Sequence, residues 1–380
     1  MDLDKGGVSV AIPAGQAMPW KPTADTPGRI ASVQMLRFLA AFVVLAHHAE
    51  GAAYHLGRYR GVELARPWFN MAGAFGVDLF FAISGFIMIV SSDKLYGRPG
   101  ARASFVRRRL IRIMPLYWLI TAFALAWTLR IGGPVEVPGL LYSLMFYPWS
   151  PDPSHIGVSV LVPVAWTLYF EMEFYLIFAA CLGNGAWQSA ARASGIIAVL
   201  TGLGLLLAPP MPWAYWTSPI IAEFIGGMAV ALLWQRGLRL PAPLRLAMLL
   251  VACVLVLGNL PEPGVPALDW SRTLSWGTAG LLILAATVLG PMRLIGERGW
   301  NVGGDVSYAL YLVHMPLLAI AQFLWRHFKL PFGAWQEGLF VTVTIAGSFV
   351  AAVILHRAVE RRITRWLNRA LAPAPSVQPA

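Results

Sequence analysis

The chain alternates between long apolar stretches and short polar segments that contain Pro, Gly or basic residues. A membrane-spanning helix needs about 20 apolar residues, because the hydrocarbon layer is ~30 Å thick and a helix rises ~1.5 Å per residue. Ten stretches reach or approach that length: residues 30–49, 69–90, 110–129, 158–182, 191–208, 219–234, 244–260, 274–290, 306–323 and 338–355. The pattern predicts an all-α integral membrane protein with about ten transmembrane helices.

The segments between and beyond these stretches predict the orientation and the domain boundaries. If the amino terminus is cytoplasmic, 21 of the 29 Lys and Arg residues fall on the cytoplasmic side and seven in the outer loops. Because cytoplasmic loops are enriched in Lys and Arg, both termini are predicted to be cytoplasmic. We predict a flexible cytoplasmic tail over residues 1–28, a transmembrane domain over 29–366 and a disordered tail over 367–380. The outer stretch 132–157 is too short to span and is predicted to be re-entrant or interfacial.

Composition agrees with a membrane protein and excludes other classes. The chain is 58% hydrophobic and 12% charged, whereas soluble domains carry about 25% charged residues. The net charge of +11 follows from the basic cytoplasmic loops, so no nucleic-acid partner is predicted. The two cysteines, Cys181 and Cys253, lie inside apolar runs and predict neither a disulfide framework nor a metal site.

The first predicted helix carries an arginine and two histidines in RFLAAFVVLAHH. Ionisable residues within a span cost at least ~2.5–3.5 kcal/mol, so they are candidates for function. Arg37 and His48 are eleven residues apart, which puts them on one helix face about 16 Å apart along the axis. His47 points about 80° away. The competing interpretation is an arginine that reaches the inner headgroups and two histidines at the outer interface.

The second helix begins with GVDLFFAISGF. Asp78 falls near its outer end, in the predicted layer of His48, and is the expected partner that would hold the imidazole in one tautomer. Ser84 and Gly85 lie deeper, where small residues favour close helix packing.

The third helix begins with FVRRRLIRIMPLYW and carries a basic cluster. Arg108 and Arg112 share a face at the cytoplasmic boundary, with Arg109 close by. Topology alone accounts for such a cluster, and the functional interpretation is a clamp for the phosphate groups of an anionic ligand.

Two later helices carry polar stripes, and a third carries a lone carboxylate. Glu171 and Glu173 lie about 160° apart. Glu171 is favoured because Thr167, four residues before it, and Tyr175, four residues after it, lie on the same face. Ser307, Tyr311 and His314 fall within about 60° of one another and predict a cavity wall. Glu223 is a single carboxylate that could simply pair with a buried arginine or a backbone group.

This set of residues suits transfer of a group from an anionic cytoplasmic donor to an acceptor outside. His48 could be a general base on an acceptor hydroxyl or a nucleophile that takes the acyl group first, and the sequence does not choose between these routes. A transporter or flippase for a glycan or lipid-linked sugar is the main rival, and a membrane scaffold is a third hypothesis. The sequence shows no internal repeat of the length found in transporters, which weakens the transporter or flippase hypothesis.

Six ordered motifs resemble the membrane acyltransferase-3 family, the O-acetylases and related acyltransferases of bacterial surface polysaccharides, from about residue 30 to 363. The motifs are Arg37 with His48, GVDLFFAISGF (76–86), RRRLIRIMPLYW (107–118), WTLYFEMEFY (166–175), EFIGGM (223–228) and SYALYLVH (307–314). The resemblance identifies Arg37 and His48 as the family's functional signature. Unlike many members, this chain has Met172 between Glu171 and Glu173, which resembles the exopolysaccharide-modifying branch.

The resemblance implies a ten-helix, multi-pass protein of the bacterial cytoplasmic (inner) membrane that transfers an acyl group from acyl-CoA, commonly acetyl-CoA. The acceptor would be a hydroxyl of an exported polysaccharide or its lipid-linked saccharide precursor. No bound cofactor is expected. Some members carry a fused periplasmic hydrolase-like domain after the last helix, whereas only a basic tail is expected here, so the membrane domain is expected to do the whole reaction or to work with separate polysaccharide-biosynthesis proteins. Membrane lipid is the other expected partner.

The predicted site residues fall into three groups. They are His48, Asp78 and Glu171 as catalytic residues; Arg37, Arg108, Arg109 and Arg112 as donor-binding residues; and Ser84, Trp166, Tyr175, Glu223, Ser307, Tyr311 and His314 as cavity-lining residues.

Overall fold

A computed structural model describes residues 30–62, 72–152, 157–258 and 268–371. Every regular element in these ranges is helical, as the hydropathy pattern predicts. The predicted tail 1–28 lies outside the described residues. The last helix ends at Ala370, so the predicted domain boundary at residue 366 falls inside it.

Fourteen helices follow one another in the described part of the chain, and three of them are only one or two turns long. They are α1 Ala31–Tyr59, α2 Gly76–Ser91, α3 Ala101–Arg130, α4 Val137–Leu144, α5 Trp166–Cys181, α6 Ala186–Leu207, α7 Trp213–Trp216, α8 Glu223–Gln235, α9 Ala242–Gly258, α10 Trp270–Arg272, α11 Thr278–Val288, α12 Glu297–His327, α13 Ala334–Leu355 and α14 Arg361–Ala370. Helical turns lead into α2 (Ala72–Phe75), α5 (Pro163–Ala165) and α8 (Pro219–Ala222), and π-helical turns precede α11 (Thr273–Gly277) and α14 (His356–Glu360).

Each of the ten predicted apolar stretches overlaps a helical segment of the described chain. Eight segments of the described chain are long and apolar enough to cross a membrane. The two other stretches form α9, a shorter apolar helix, and the segment from α10 to α11, which a π-helical turn interrupts. The outer stretch 132–157 contains α4, an eight-residue helix that lies beside the middle of α3, where Tyr117 donates a hydrogen bond to the Ser143 carbonyl.

Helices α1 and α12 pack side by side in the same direction. Gln34 contacts Asp305 near the starts of the two helices, and Gln322 donates to the Ala52 carbonyl near their ends. Gly304 permits this approach, since a Cβ at that position would lie 2.7 Å from the Cα of Gln34. We call the end of the bundle where α1 and α12 begin the inner end, because the charge bias predicts that it faces the cytoplasm, and the opposite end the outer end.

Helices α2 and α8 cross at two glycines. A Cβ at Gly85 would collide with the backbone carbonyl of Phe224, and a Cβ at Gly227 with the carbonyl of Ala82. The two helix backbones are therefore so close at Gly85 and Gly227 that neither position has room for a side chain. This agrees with the predicted packing role of the Ser84–Gly85 pair.

A buried ion pair ties α2 to the segment before α11. Arg272 donates to both carboxylate oxygens of Asp78, at 2.9 and 2.8 Å, and both side chains are almost fully buried. The Arg272 guanidinium also lies 5.1 Å from the ring of Trp276. Glu223 sits within electrostatic range of this pair, yet its carboxylate oxygens accept no hydrogen bond from any described residue. A paired, bidentate geometry is what makes burial of these charges tolerable.

We expect Gly227→Ala to destabilise the protein by about 1–3 kcal/mol, the usual cost of overpacking. The matched control is Gly202→Ala in α6, where a Cβ would meet nothing within 4 Å and helix propensity rises. Thermal unfolding in detergent measures both variants. Equal melting temperatures for the two variants would contradict the close α2–α8 crossing.

Asp78→Asn should lower stability by about 3–5 kcal/mol, because it leaves Arg272 buried without its counter-charge. Glu223→Gln should cost far less, since it removes no hydrogen bond to a described residue. Denaturation monitored by tryptophan fluorescence compares the two. A larger loss in Glu223→Gln than in Asp78→Asn would show that the ion pair has been assigned to the wrong carboxylate.

Candidate active site

A cavity extends through the bundle from the inner end along most of the length of α2. Its empty space, including the part that is open to solvent, is about 710 Å³, and it is bounded by α1, α2, α3, α5 and α12. On α2 its lining extends from Val77 to Met88, twelve residues or about 16 Å of helix. The predicted site residues that line it are Arg37, Ser84, Arg109, Arg112, Glu171, Tyr175, Ser307 and Tyr311.

Three guanidinium groups and one carboxylate give the cavity its charge. Arg37 comes from α1, Arg109 and Arg112 from α3, and Glu171 from α5. The Arg37 guanidinium donates to Gln34 Oε1 at 3.1 Å, whereas Arg112 makes no hydrogen bond to a described residue. The balance of these four side chains is positive, which favours an anionic ligand.

Glu171 is anchored from two helices. Ser84 donates to its Oε1 at 3.1 Å across the cavity, and Tyr175 donates to the same oxygen from the next turn of α5. The predicted choice of Glu171 over Glu173 as the cavity residue therefore agrees with the geometry. Glu173 points to the other side of α5, where one of its oxygens is buried without a hydrogen-bond partner among the described residues.

Arg108 does not line the cavity, contrary to the expectation that it binds the donor together with Arg112 on the same face of α3. The buried face of α3 includes Phe105, Ile113 and Leu116. Arg109 follows Phe105 by four residues and Arg112 precedes Leu116 by four, so both fall on that face, while Arg108 is exposed. Arg109 is also held by Ser91, to which it donates at 2.6 Å, and by the ring of Tyr175, 5.5 Å from its guanidinium carbon.

His48 and His314 form a hydrogen-bonded pair about one helical turn beyond the outer end of the cavity. His314 is fully buried, and its Nε2 lies 3.3 Å from His48 Nδ1. His48 Nδ1 is also 2.9 Å from the Val44 carbonyl, and His314 Nδ1 is 3.0 Å from the Leu310 carbonyl. A carbonyl only accepts, so in the neutral pair both Nδ1 atoms carry the hydrogen. This leaves the lone pair of His48 on Nε2.

The expected pairing of Asp78 with His48 is absent from the structure. Both oxygens of Asp78 are bound to Arg272, and the contact of His48 comes from His314 instead. Sequence reasoning placed Asp78 at a similar depth but could not see Arg272, which is 194 residues away in the chain.

Three residues predicted to line the cavity lie elsewhere. His314 pairs with His48, Glu223 adjoins the Asp78–Arg272 pair, and Trp166 stacks beside it, 5.9 Å from the Arg272 guanidinium. Thr167, predicted to share the face of Glu171, also lines the cavity, and its Oγ1 lies 3.0 Å from the Tyr311 hydroxyl. The polar lining residue that the sequence did not single out is Tyr308, whose hydroxyl donates to the Ile113 carbonyl at 2.8 Å.

Comparison with known proteins identifies the family. A family model described as "Acyltransferase domain" matches residues 30–357. The chain is 35% identical over 249 residues to "Exopolysaccharide production protein ExoZ" of Rhizobium meliloti (strain 1021), an alignment that covers 64% of this chain and 75% of that protein. It is 25% identical over 289 residues to "Putative peptidoglycan O-acetyltransferase YrhL" of Bacillus subtilis (strain 168), covering 67% of this chain and 45% of that protein. No solved structure matches.

The family match covers most of the chain, including every helix that bounds the cavity and the histidine pair. The motifs behind the resemblance and the side chains gathered at the cavity are largely the same residues. This chain is a multi-helix membrane protein and belongs to the acyltransferase family that the matching domain defines.

Proposed function

We propose that the protein is an acyl-CoA-dependent O-acyltransferase that moves an acyl group, in the simplest case acetyl, from the inner end of the bundle to a saccharide hydroxyl at the outer end. This proposal is supported by the positions of two features, the arginine-lined cavity at the inner end of the bundle and His48 beyond the outer end of the cavity. An arginine-lined cavity opens the inner half of the bundle. Just beyond its outer end lies His48, whose Nε2 has no hydrogen-bond partner among the residues that the structure describes.

The inner half of the cavity suits a phosphate-bearing donor. Arg37, Arg109 and Arg112 present three guanidinium groups, which bind phosphate oxygens by charge-assisted hydrogen bonds. Coenzyme A carries phosphates at one end and the acyl thioester at the end of a flexible arm. With its phosphates on the arginines, the arm would follow α2 and bring the thioester towards Tyr311 and the histidine pair.

His48 suits either of the two routes that the sequence leaves open. As a general base, its Nε2 takes the proton from the acceptor hydroxyl while the oxygen attacks the thioester carbonyl carbon. As a nucleophile, the same Nε2 attacks first, and the acceptor oxygen then displaces the imidazole. In both routes the carbon–sulfur bond breaks and the sulfur leaves as a thiolate, which takes up a proton to give the free thiol.

The acceptor class is inferred from the relatives. One relative is named for exopolysaccharide production and another for peptidoglycan O-acetylation, so an exported glycan or its lipid-linked precursor is the acceptor that we propose. The proposed location is the bacterial inner membrane. Mass spectrometry of the exported glycan from a deletion strain tests this: loss of acetyl groups with unchanged export supports transfer, and unchanged acetylation with lost export supports the flippase.

His48→Ala should reduce acyl transfer at least 100-fold, within the 10²–10⁴-fold that proton transfer contributes to catalysis. The measurement is release of free CoA thiol by purified protein supplied with acetyl-CoA and the glycan. His55→Ala is the matched control, since His55 is an exposed histidine on the same helix. Turnover by a folded His48→Ala variant at the wild-type rate would remove His48 from the mechanism.

Arg112→Ala should weaken acetyl-CoA binding about 10- to 100-fold, because a charge-assisted hydrogen bond contributes about 1.5–3 kcal/mol. Arg108→Ala should bind acetyl-CoA like the wild type, since the Arg108 side chain is exposed and does not line the cavity. Isothermal titration in detergent measures both dissociation constants. If Arg108→Ala were the weaker binder, the donor phosphates would lie outside the cavity.

A further inference from the structure

The outer end of the cavity is closed by the side chain of Tyr311. The described lining includes Tyr311 but neither histidine, and the Tyr311 ring centre lies 6.1 Å from the ring of His314. Tyr311 therefore has the cavity on one side and the histidine pair on the other. His314 follows Tyr311 by three residues, or about 4.5 Å of helix rise, so the separation is about one side chain thick.

Two hydrogen bonds and one ring contact fix Tyr311 in this position. Its hydroxyl lies 3.0 Å from Thr167 Oγ1 and donates to the Val164 carbonyl at 3.2 Å. Both partners belong to the first turns of the α5 segment. Phe80 of α2 packs edge-on against the ring, with centroids 5.7 Å apart. The closure is thus assembled from three segments of the chain.

We propose that Tyr311 is the partition between the donor cavity and His48, and that it limits the size of the acyl group that can be transferred. The size limit rests on the proposed function, whereas the partition itself does not. A thioester held in the cavity reaches His48 only if the Tyr311 ring moves aside and gives up its bonds to Thr167 and Val164. Phe80 restricts how far the ring can turn, so a short acyl group passes and a longer one is held back.

The partition can be tested without any enzymatic activity by cysteine labelling from each side of the membrane. Cys181 and Cys253, the two native cysteines, are replaced by Ser, and His48→Cys is introduced. Sealed vesicles are treated with a charged, membrane-impermeant methanethiosulfonate on one side at a time. Ser84→Cys, in the middle of the cavity lining, reports whether the reagent enters from the inner end.

We expect Ser84→Cys to be labelled from the inner side, and His48→Cys to be labelled from that side only when Tyr311→Ala is added. The labelling rate of His48→Cys from the inner side should rise at least tenfold with Tyr311→Ala. Tyr311→Phe retains the ring but loses both hydroxyl hydrogen bonds, so it should raise the labelling rate less than Tyr311→Ala does. Inner-side labelling of His48→Cys with Tyr311 intact, no gain with Tyr311→Ala, or no labelling of Ser84→Cys from the inner side would each overturn the partition.

The size limit is tested by the ratio of kcat/KM for butyryl-CoA to that for acetyl-CoA. Tyr311→Ala should raise this ratio at least tenfold, and Tyr311→Phe should leave it near the wild-type value. Phe178→Leu controls for a general loosening of the core, because it replaces a fully buried aromatic ring that does not line the cavity. An unchanged ratio in Tyr311→Ala overturns the size limit.

The two experiments separate failure of this inference from failure of the proposed function. If neither acyl-CoA is consumed by the wild type, the proposed donor and the size limit are wrong, and the labelling result still decides whether Tyr311 separates the two compartments. If acetyl-CoA is consumed but the labelling pattern does not respond to Tyr311→Ala, acyl transfer stands and the partition is wrong.

Discussion

The parallel packing of α1 against α12 is the constraint on which the rest of the site depends. Towards the inner end, this packing places Arg37 and Ser307 in the lining of the same cavity. Towards the outer end, it places His48 beside His314. Gly304 makes this approach possible, because any side chain there would collide with Gln34. One helix pair thus sets both ends of the site and the distance between them, and α2, α3 and α5 supply the cavity walls around this pair.

Burial of polar groups in an apolar bundle is costly unless each group finds a partner. Carboxylate oxygens of Glu173 and Glu223 have no hydrogen-bond partner among the described residues, whereas the following side chains are partnered. Asp78 is paired with Arg272, Glu171 accepts from Ser84 and Tyr175, and the two histidines bond to each other and to backbone carbonyls. The Asp78–Arg272 ion pair and the close α2–α8 crossing stabilise the helix bundle. The cavity arginines and His48 Nε2 are therefore available to contact ligands. This division explains why Asp78 acts in the fold and not as the partner of the imidazole.

Properties of single helices were predicted from the sequence more successfully than contacts between helices. The spacing of Arg37 and His48, the choice of Glu171 over Glu173 and the stripe of Ser307 and Tyr311 all follow from 100° of turn per residue. The sequence could not show which arginines of α3 line the cavity, because three consecutive arginines point in different directions around a helix. The prediction therefore included Arg108, whereas the buried positions of α3 identify Arg109 and Arg112. The partners of Asp78 and His48 are 194 and 266 residues away, and no local pattern could reveal them.

We expect one ligand to span the cavity from the arginines to Tyr311. An electron cryo-microscopy map of the protein with a non-hydrolysable thioether analogue of acetyl-CoA tests this arrangement. Density should appear for the phosphates at Arg37, Arg109 and Arg112 and for the acyl end against the Tyr311 ring. Density for the analogue outside this cavity, with the arginines unoccupied, would contradict this arrangement.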